Sequence, residues 1–193
     1  MTERRSFSHA IAEGDGISVI ASDDDPDGAR SAEAQRAEAL VVRTDPRPIR
    51  EASSLPILWR AEVRLSEAVE CAHAVLLVFD EDDGRVDDLH REAIALGLDS
   101  AVEVRTEEDI EQALERIDPE IFLLSPAEGD EDETPLEVVL DLLAAVPAGK
   151  LAIADLPLVT PRETEELELA GCDAVIVTSG DIAALAGDLP PDV

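Results

Sequence analysis

The chain has 193 residues, enough for one ordinary domain and short for two. Apolar residues make up 45% of it, enough for a sizeable core, and no apolar run approaches the ~20 residues of a membrane span. Forty-six acids face fifteen bases, giving a formal charge of -31, which argues against nucleic acid and anionic membrane surfaces as partners, because both need positive charge.

The opening Met1-Thr2-Glu3-Arg4-Arg5-Ser6 has no apolar h-region, so no secretory signal is read and a cytoplasmic chain is expected. Residues 1–15 supply a short helical lead-in. Eight runs rich in Val, Ile and Leu then recur, at 17–22, 39–43, 55–60, 74–79, 101–105, 121–125, 151–155 and 174–178. Continuous apolar runs of this length suit parallel strands buried on both faces. Helices fill the gaps, although 44–54, with its two prolines, has room for barely two turns. Thr134-Pro135-Leu136-Glu137 and Thr160-Pro161-Arg162-Glu163 read as capping boxes with proline at the first helical position. Thr106-Glu107-Glu108-Asp109 is a weaker version, and Gly97, Gly149 and Gly171 sit where helices should end. The acid-rich piece 128–133 reads as a solvated loop. Strand and helix alternating eight times predict one domain, 1–193, of α/β class: a compact (βα)8 TIM barrel behind the lead-in helix. A doubly wound open sheet is the structural alternative, since strand count alone does not prove closure.

Fourteen of the fifteen bases are arginine, Lys150 is the only lysine, and tyrosine is absent. A folded chain this acidic suits a salt-accumulating, halophilic cytoplasm, where molar salt shortens the Debye length to roughly 3 Å and carboxylates tolerate one another. Cys71 and Cys172 make no disulfide framework, and they precede strands on opposite sides of the barrel, so neither zinc nor a disulfide is expected.

Several segments carry a family resemblance. Arg5-Ser6-Phe7-Ser8 followed by Ser18-Val19-Ile20-Ala21, then Thr44-Asp45-Pro46 and Leu55-Pro56-Ile57-Leu58, resemble indole-3-glycerol-phosphate synthase. Leu96-Gly97-Leu98 with Val102-Glu103-Val104, and Thr160-x-x-Glu163 leading to Ala170-Gly171-Cys172-Asp173-Ala174-Val175, continue the similarity in register. The resemblance implies a ribulose-phosphate-binding type of barrel that closes the indole ring of a phosphorylated, ribulose-like anthranilate derivative in tryptophan biosynthesis. It implies a general-acid lysine ending strand three and a second lysine after strand one. Glutamates on strands one, five and seven, an asparagine on strand six and phosphate-binding backbone in the last two loops complete the implied site.

Position by position, this chain departs from that pattern. Ser22 stands at the strand-one glutamate, and Asp23-Asp24-Asp25-Pro26-Asp27 replaces the lysine-serine-proline loop. Arg60-Ala61-Glu62 stands at the strand-three lysine motif, Leu124 with Ser125 at the asparagine, and Asp155-Leu156-Pro157 at the strand-seven glutamate-serine-glycine. Thr178-Ser179-Gly180 matches the last phosphate loop, and Glu103 keeps the strand-five glutamate. An arginine cannot give up its proton near neutral pH, so Arg60 can hold an anion but cannot replace the acid. Lys150 precedes strand seven, on the stability face of a barrel rather than its active face. Pro157 lacks a backbone N–H, and the aspartates of 23–27 would crowd a phosphate dianion.

The candidate site residues are therefore Glu103, Asp155 and Arg60 for chemistry, with Arg43, Arg105, Ser125, Thr178 and Ser179 for binding. Two readings of the arginines stand side by side: a mouth for a small anionic ligand, or partners of neighbouring acids that hold loops. The acids at 23–27 and 80–83 lack calcium-loop spacing and read as solvated surface, so no metal and no cofactor is expected. His9, His73 and His90 end no strand, and no serine or cysteine nucleophile has a histidine at a plausible place. Three functions remain open: a binding or regulatory pseudoenzyme, an enzyme using Glu103 and Asp155 as acid and base, and residual synthase activity. A protein partner is not legible.

Overall fold

The computed structural model describes residues 6–13, 16–60, 65–79, 84–126, 134–157, 159–178 and 182–185. Along the chain run α1 (Phe7–Ala12), β1 (Ser18–Ser22), α2 (Pro26–Ala34), β2 (Ala39–Val42), α3 (Arg47–Ala52) and β3 (Ile57–Trp59). Next come α4 (Leu65–Cys71), β4 (Ala74–Val78), α5 (Arg85–Ala95), β5 (Asp99–Val104), α6 (Glu107–Arg116) and β6 (Ile121–Leu124). The last elements are α7 (Pro135–Ala145), β7 (Leu151–Asp155), α8 (Pro161–Ala170), β8 (Ala174–Thr178) and α9 (Ile182–Leu185). The strands are parallel and pair in sequence order, and β8 returns to β1 from Ser18↔Ala174 to Ser22↔Thr178. That pairing closes the sheet into a (βα)8 barrel and rules out the open alternative.

Strand boundaries shift for backbone reasons. Pro56 has no N–H for the ladder, so β3 is trimmed to Ile57–Trp59, although the Pro56 carbonyl accepts from Leu40 N at 2.8 Å. β5 begins earlier than expected, because Asp99 N reaches the His73 carbonyl at 3.0 Å.

Period-two alternation sorts the strand side chains into two apolar shells. Ile20, Val41, Leu58, Leu76, Leu123 and Ile153 belong to the inner cluster, while Val42, Val102, Phe122 and Val175 pack outward under the helices. The inner shell is thin, with alanine at 39, 74, 101 and 174, and the lead-in helix makes up the volume. Ser6 caps α1 by accepting from His9 N at 3.2 Å, and Phe7 and Ile11 join the inner cluster. Ser18 Oγ donates to the Ile11 carbonyl at 3.0 Å, and Asp99 accepts from Ser8 N at 2.8 Å. Helix α1 thus plugs the N-terminal end of the barrel, each large apolar side chain contributing about 1.5–3 kcal/mol.

All three capping boxes form, Thr106 with Asp109, Thr134 with Glu137 and Thr160 with Glu163. Gly171 caps α8 at φ 93°, and Gly97 follows α5 at φ 74°, both in the left-handed region that glycine tolerates. Gly149 is a correction. Helix α7 already stops at Ala145, because Pro147 cannot continue it, and Gly149 instead turns the chain between Ala148 and Lys150 ahead of β7.

His90 links α5 to the barrel, its Nδ1 lying 2.7 Å from Ser100 Oγ. Burial, with Arg91 nearby, holds its pKa below the ordinary 6.5. The folded state therefore prefers the neutral ring, and the unfolded chain takes up the proton first as pH falls. Stability from this contact is complete above the ordinary histidine range and declines as pH drops through it. Urea midpoints measured in molar KCl, where carboxylate repulsion is screened, should fall from pH 7 to pH 5, and His90→Gln should flatten that slope. An unchanged slope would remove His90 as its source.

Candidate functional site

Alternation carries the inner face of each strand to the C-terminal mouth. Beyond the inner-cluster residues lie Ser22 on β1, Arg43 after β2, Arg60 after β3, Val78 on β4, Glu103 on β5, Ser125 after β6, Asp155 on β7 and Thr178 on β8. Arg105 follows Glu103 two residues on. Every described candidate thus sits at one end of the barrel, while Ser179 lies outside the described residues, as do Glu62, 80–83 and 128–133.

Arg60 organises the centre. Its guanidinium donates to Asp155 Oδ2 at 2.6 Å and to Glu103 Oε2 at 3.0 Å, while Arg105 donates to Glu103 Oε1 at 3.0 Å. Glu103 is the inner member, its side chain only 1% exposed, and Asp155 is 19% exposed. Two cations and two carboxylates form one network across three strands. Two of the three arginines pair with acids, and a guanidinium divided between two carboxylates has fewer donors left for an incoming anion.

Arg43 differs. Its backbone N–H donates to Asp24 Oδ1 at 2.7 Å, but its guanidinium makes no ion pair among the described residues. It lines a cleft of about 330 Å³ with Ser22, Asp23, Asp24, Asp155, Pro157 and Thr178. Ser125 Oγ, by contrast, is buried and makes no hydrogen bond among the described residues, although its backbone N–H reaches the Val104 carbonyl at 3.1 Å.

The acidic loop 23–27 is more than solvated surface. Asp23 accepts from Asp25 N at 2.8 Å, and Asp24 accepts from the backbone N–H groups of Arg43 and Thr44. Asp25 is the N-cap of α2, taking the N–H groups of Asp27 and Gly28 ahead of Pro26 at the first turn. Gly28 leaves room for the Asp23 carboxylate, which would have to move to admit a Cβ there. Asp25-Pro26 was the available signal, an N-cap acid before proline.

Lys150 Nζ pairs with Asp118 Oδ1 at 2.6 Å, ahead of β7 and away from the mouth. Cys71 and Cys172 are buried thiols outside any disulfide among the described residues, Cys71 donating to the Glu67 carbonyl at 3.2 Å, and burial pushes the Cys172 thiol up to about 12, which leaves it inert as a nucleophile. Among the described residues no group of three or more histidine, cysteine or acidic side chains is placed to hold a metal ion. No helix among them is long and apolar enough to cross a membrane.

No family model matches the chain. It is 28% identical to the indole-3-glycerol phosphate synthase of Geobacillus sp. (strain WCH70) over 165 residues, 77% of this chain and 64% of that protein. It is 26% identical to the enzyme of the same description from Geobacillus thermodenitrificans (strain NG80-2) over 176 residues, 82% of this chain and 68% of that one. The chain thus spans about two thirds of the length of these relatives. The solved N-acetylmannosamine-6-phosphate 2-epimerase from Clostridium perfringens superposes with a TM-score of 0.71 at 16% identity, covering 91% of this chain and 90% of that one. That likeness concerns fold alone. The chain is a (βα)8 barrel with weak sequence similarity to indole-3-glycerol phosphate synthase along most of its length.

Proposed function

We propose that this barrel binds a small charged metabolite at its mouth and does not close the indole ring. One observation carries the reading: Arg60 stands at the position of the general-acid lysine that the resemblance implies, and its guanidinium is hydrogen-bonded to both Glu103 and Asp155. General acid–base catalysis is typically worth ~10²–10⁴ in rate, and an arginine cannot supply the proton. The loop expected to bring the second lysine brings aspartates instead, and these already serve as backbone acceptors. Pro157 offers no N–H to a phosphate in the strand-seven loop.

Purified protein in molar KCl, given the family's phosphorylated anthranilate substrate, should form no indole product by fluorescence even at long times. In a tryptophan auxotroph whose internal salt keeps the protein folded, the gene should fail to restore growth. Robust rescue that Glu103→Gln abolishes would overturn the reading.

A second reading has one observation in its favour. Asp155 both touches Arg60 and lines the cleft, so an enzyme could use Asp155 and Glu103 as acid and base on a ligand held there. Rescue lost on Glu103→Gln, or turnover of another small anion lost on Asp155→Asn, is its signature.

A further inference from the structure

We propose that the cleft beside β1, β7 and β8 takes a small zwitterion, with its carboxylate on Arg43 and its ammonium on Asp24 and Asp155. The proposal rests on the binding reading above and names the chemistry of the ligand. A volume of about 330 Å³ lies at the low end of small-molecule sites, which suits a molecule of amino-acid size. The charges on its wall are mixed and incompletely used. Arg60 occupies Asp155 Oδ2, and the backbone of Arg43 and Thr44 occupies Asp24 Oδ1, which leaves the second oxygen of each carboxylate without a hydrogen bond among the described residues. The Arg43 guanidinium has no ion pair among them either.

Charge excludes the neighbouring classes. Asp23, Asp24 and Asp155 line the cleft with Arg43 as the one basic residue on its wall, and although Arg60 already pairs with Asp155, a phosphate dianion there meets more carboxylate than cation. Pro157 contributes no N–H to offset them. A simple amine satisfies the carboxylates but is pressed against Arg43, and a simple carboxylate makes the converse error. Only a ligand with both charges answers both ends.

The test is the thermal midpoint of the full chain in molar KCl with alanine, 4-aminobutyrate, butyrate, butylamine or ribose 5-phosphate. One of the two zwitterions should raise the midpoint by about 3–5 °C at tenfold excess over its Kd, and the other three probes should raise it by much less at the same concentration. Arg43→Gln should fold normally, because the backbone bond to Asp24 survives, and should lose the response. Ribose 5-phosphate matching or exceeding the zwitterions overturns the proposal, as does no shift with any probe or an undiminished response in Arg43→Gln. The two readings fail separately: ring closure in the turnover assay defeats the proposed function, whereas these titrations report only on the cleft.

Discussion

Replacing Arg60 with methionine should lower stability by about 3 kcal/mol in urea unfolding at molar KCl, the low end of the range for breaking a buried ion pair. Among the described residues Arg60 is the one cation that touches both Glu103 and Asp155. Without it Asp155 keeps no ion pair among the described residues, and Glu103, 1% exposed, keeps only Arg105, which is 56% exposed and well solvated. Methionine preserves most of the apolar stem, so the loss measures stranded charge rather than an empty cavity. Adding Glu103→Gln and Asp155→Asn to the same chain removes the stranded charges and should recover more than half of the loss. Single-variant stability within about 0.5 kcal/mol of the parent would show the network to be energetically idle. A large loss with no recovery in the triple variant would assign the effect to packing instead.

That network marks the boundary of what the sequence discloses. Which residues reach the mouth follows from a period of two, so the shared face of Glu103 and Arg105, and the strand-end position of Asp155, could be read from spacing alone. The pairing of Arg60 could not. Its partners lie 43 and 95 residues away in the chain, and only the closure and tilt of the barrel bring β3, β5 and β7 to one point. Helix starts were legible because capping boxes are local, and all three formed. Gly149 misled because a left-handed glycine marks many kinds of turn, and Pro147 had already ended the helix. The acids of 23–27 misled differently. In a chain with so many carboxylates, composition explains an acidic loop too easily, and the backbone bonds of Asp23, Asp24 and Asp25 were hidden behind that explanation. That the Arg43 guanidinium has no ion pair among the described residues is likewise a fact of three dimensions.

Dialysis from molar KCl into millimolar buffer should abolish cooperative folding. A net charge of -31 sits on a domain whose expected radius of gyration is about 16 Å. In dilute buffer the Debye length is roughly 30 Å, so nearly every carboxylate feels every other, whereas at 1 M it is roughly 3 Å and only immediate neighbours interact. Two like charges about 10 Å apart in unscreened water repel by about 0.4 kcal/mol. Some tens of such pairs exceed the ~5–15 kcal/mol by which a native domain is ordinarily stable. The surface ion pairs cannot compensate. Arg91 with Asp88 and Arg162 with Glu166 are exposed helical pairs, each worth at most about 1 kcal/mol. The apolar shells do not change with salt screening, so the balance turns on repulsion. Circular dichroism and thermal melts across the range should show the midpoint falling steeply, then no cooperative transition at all. Two controls identify the cause. Sucrose in dilute buffer, which favours burial without screening charge, should restore less than KCl does. Mild acidification toward about pH 5, which begins to protonate the acids, should restore part of the fold without added salt. An unchanged midpoint from millimolar to molar KCl would defeat the halophilic reading and assign the acids a role other than adaptation to salt.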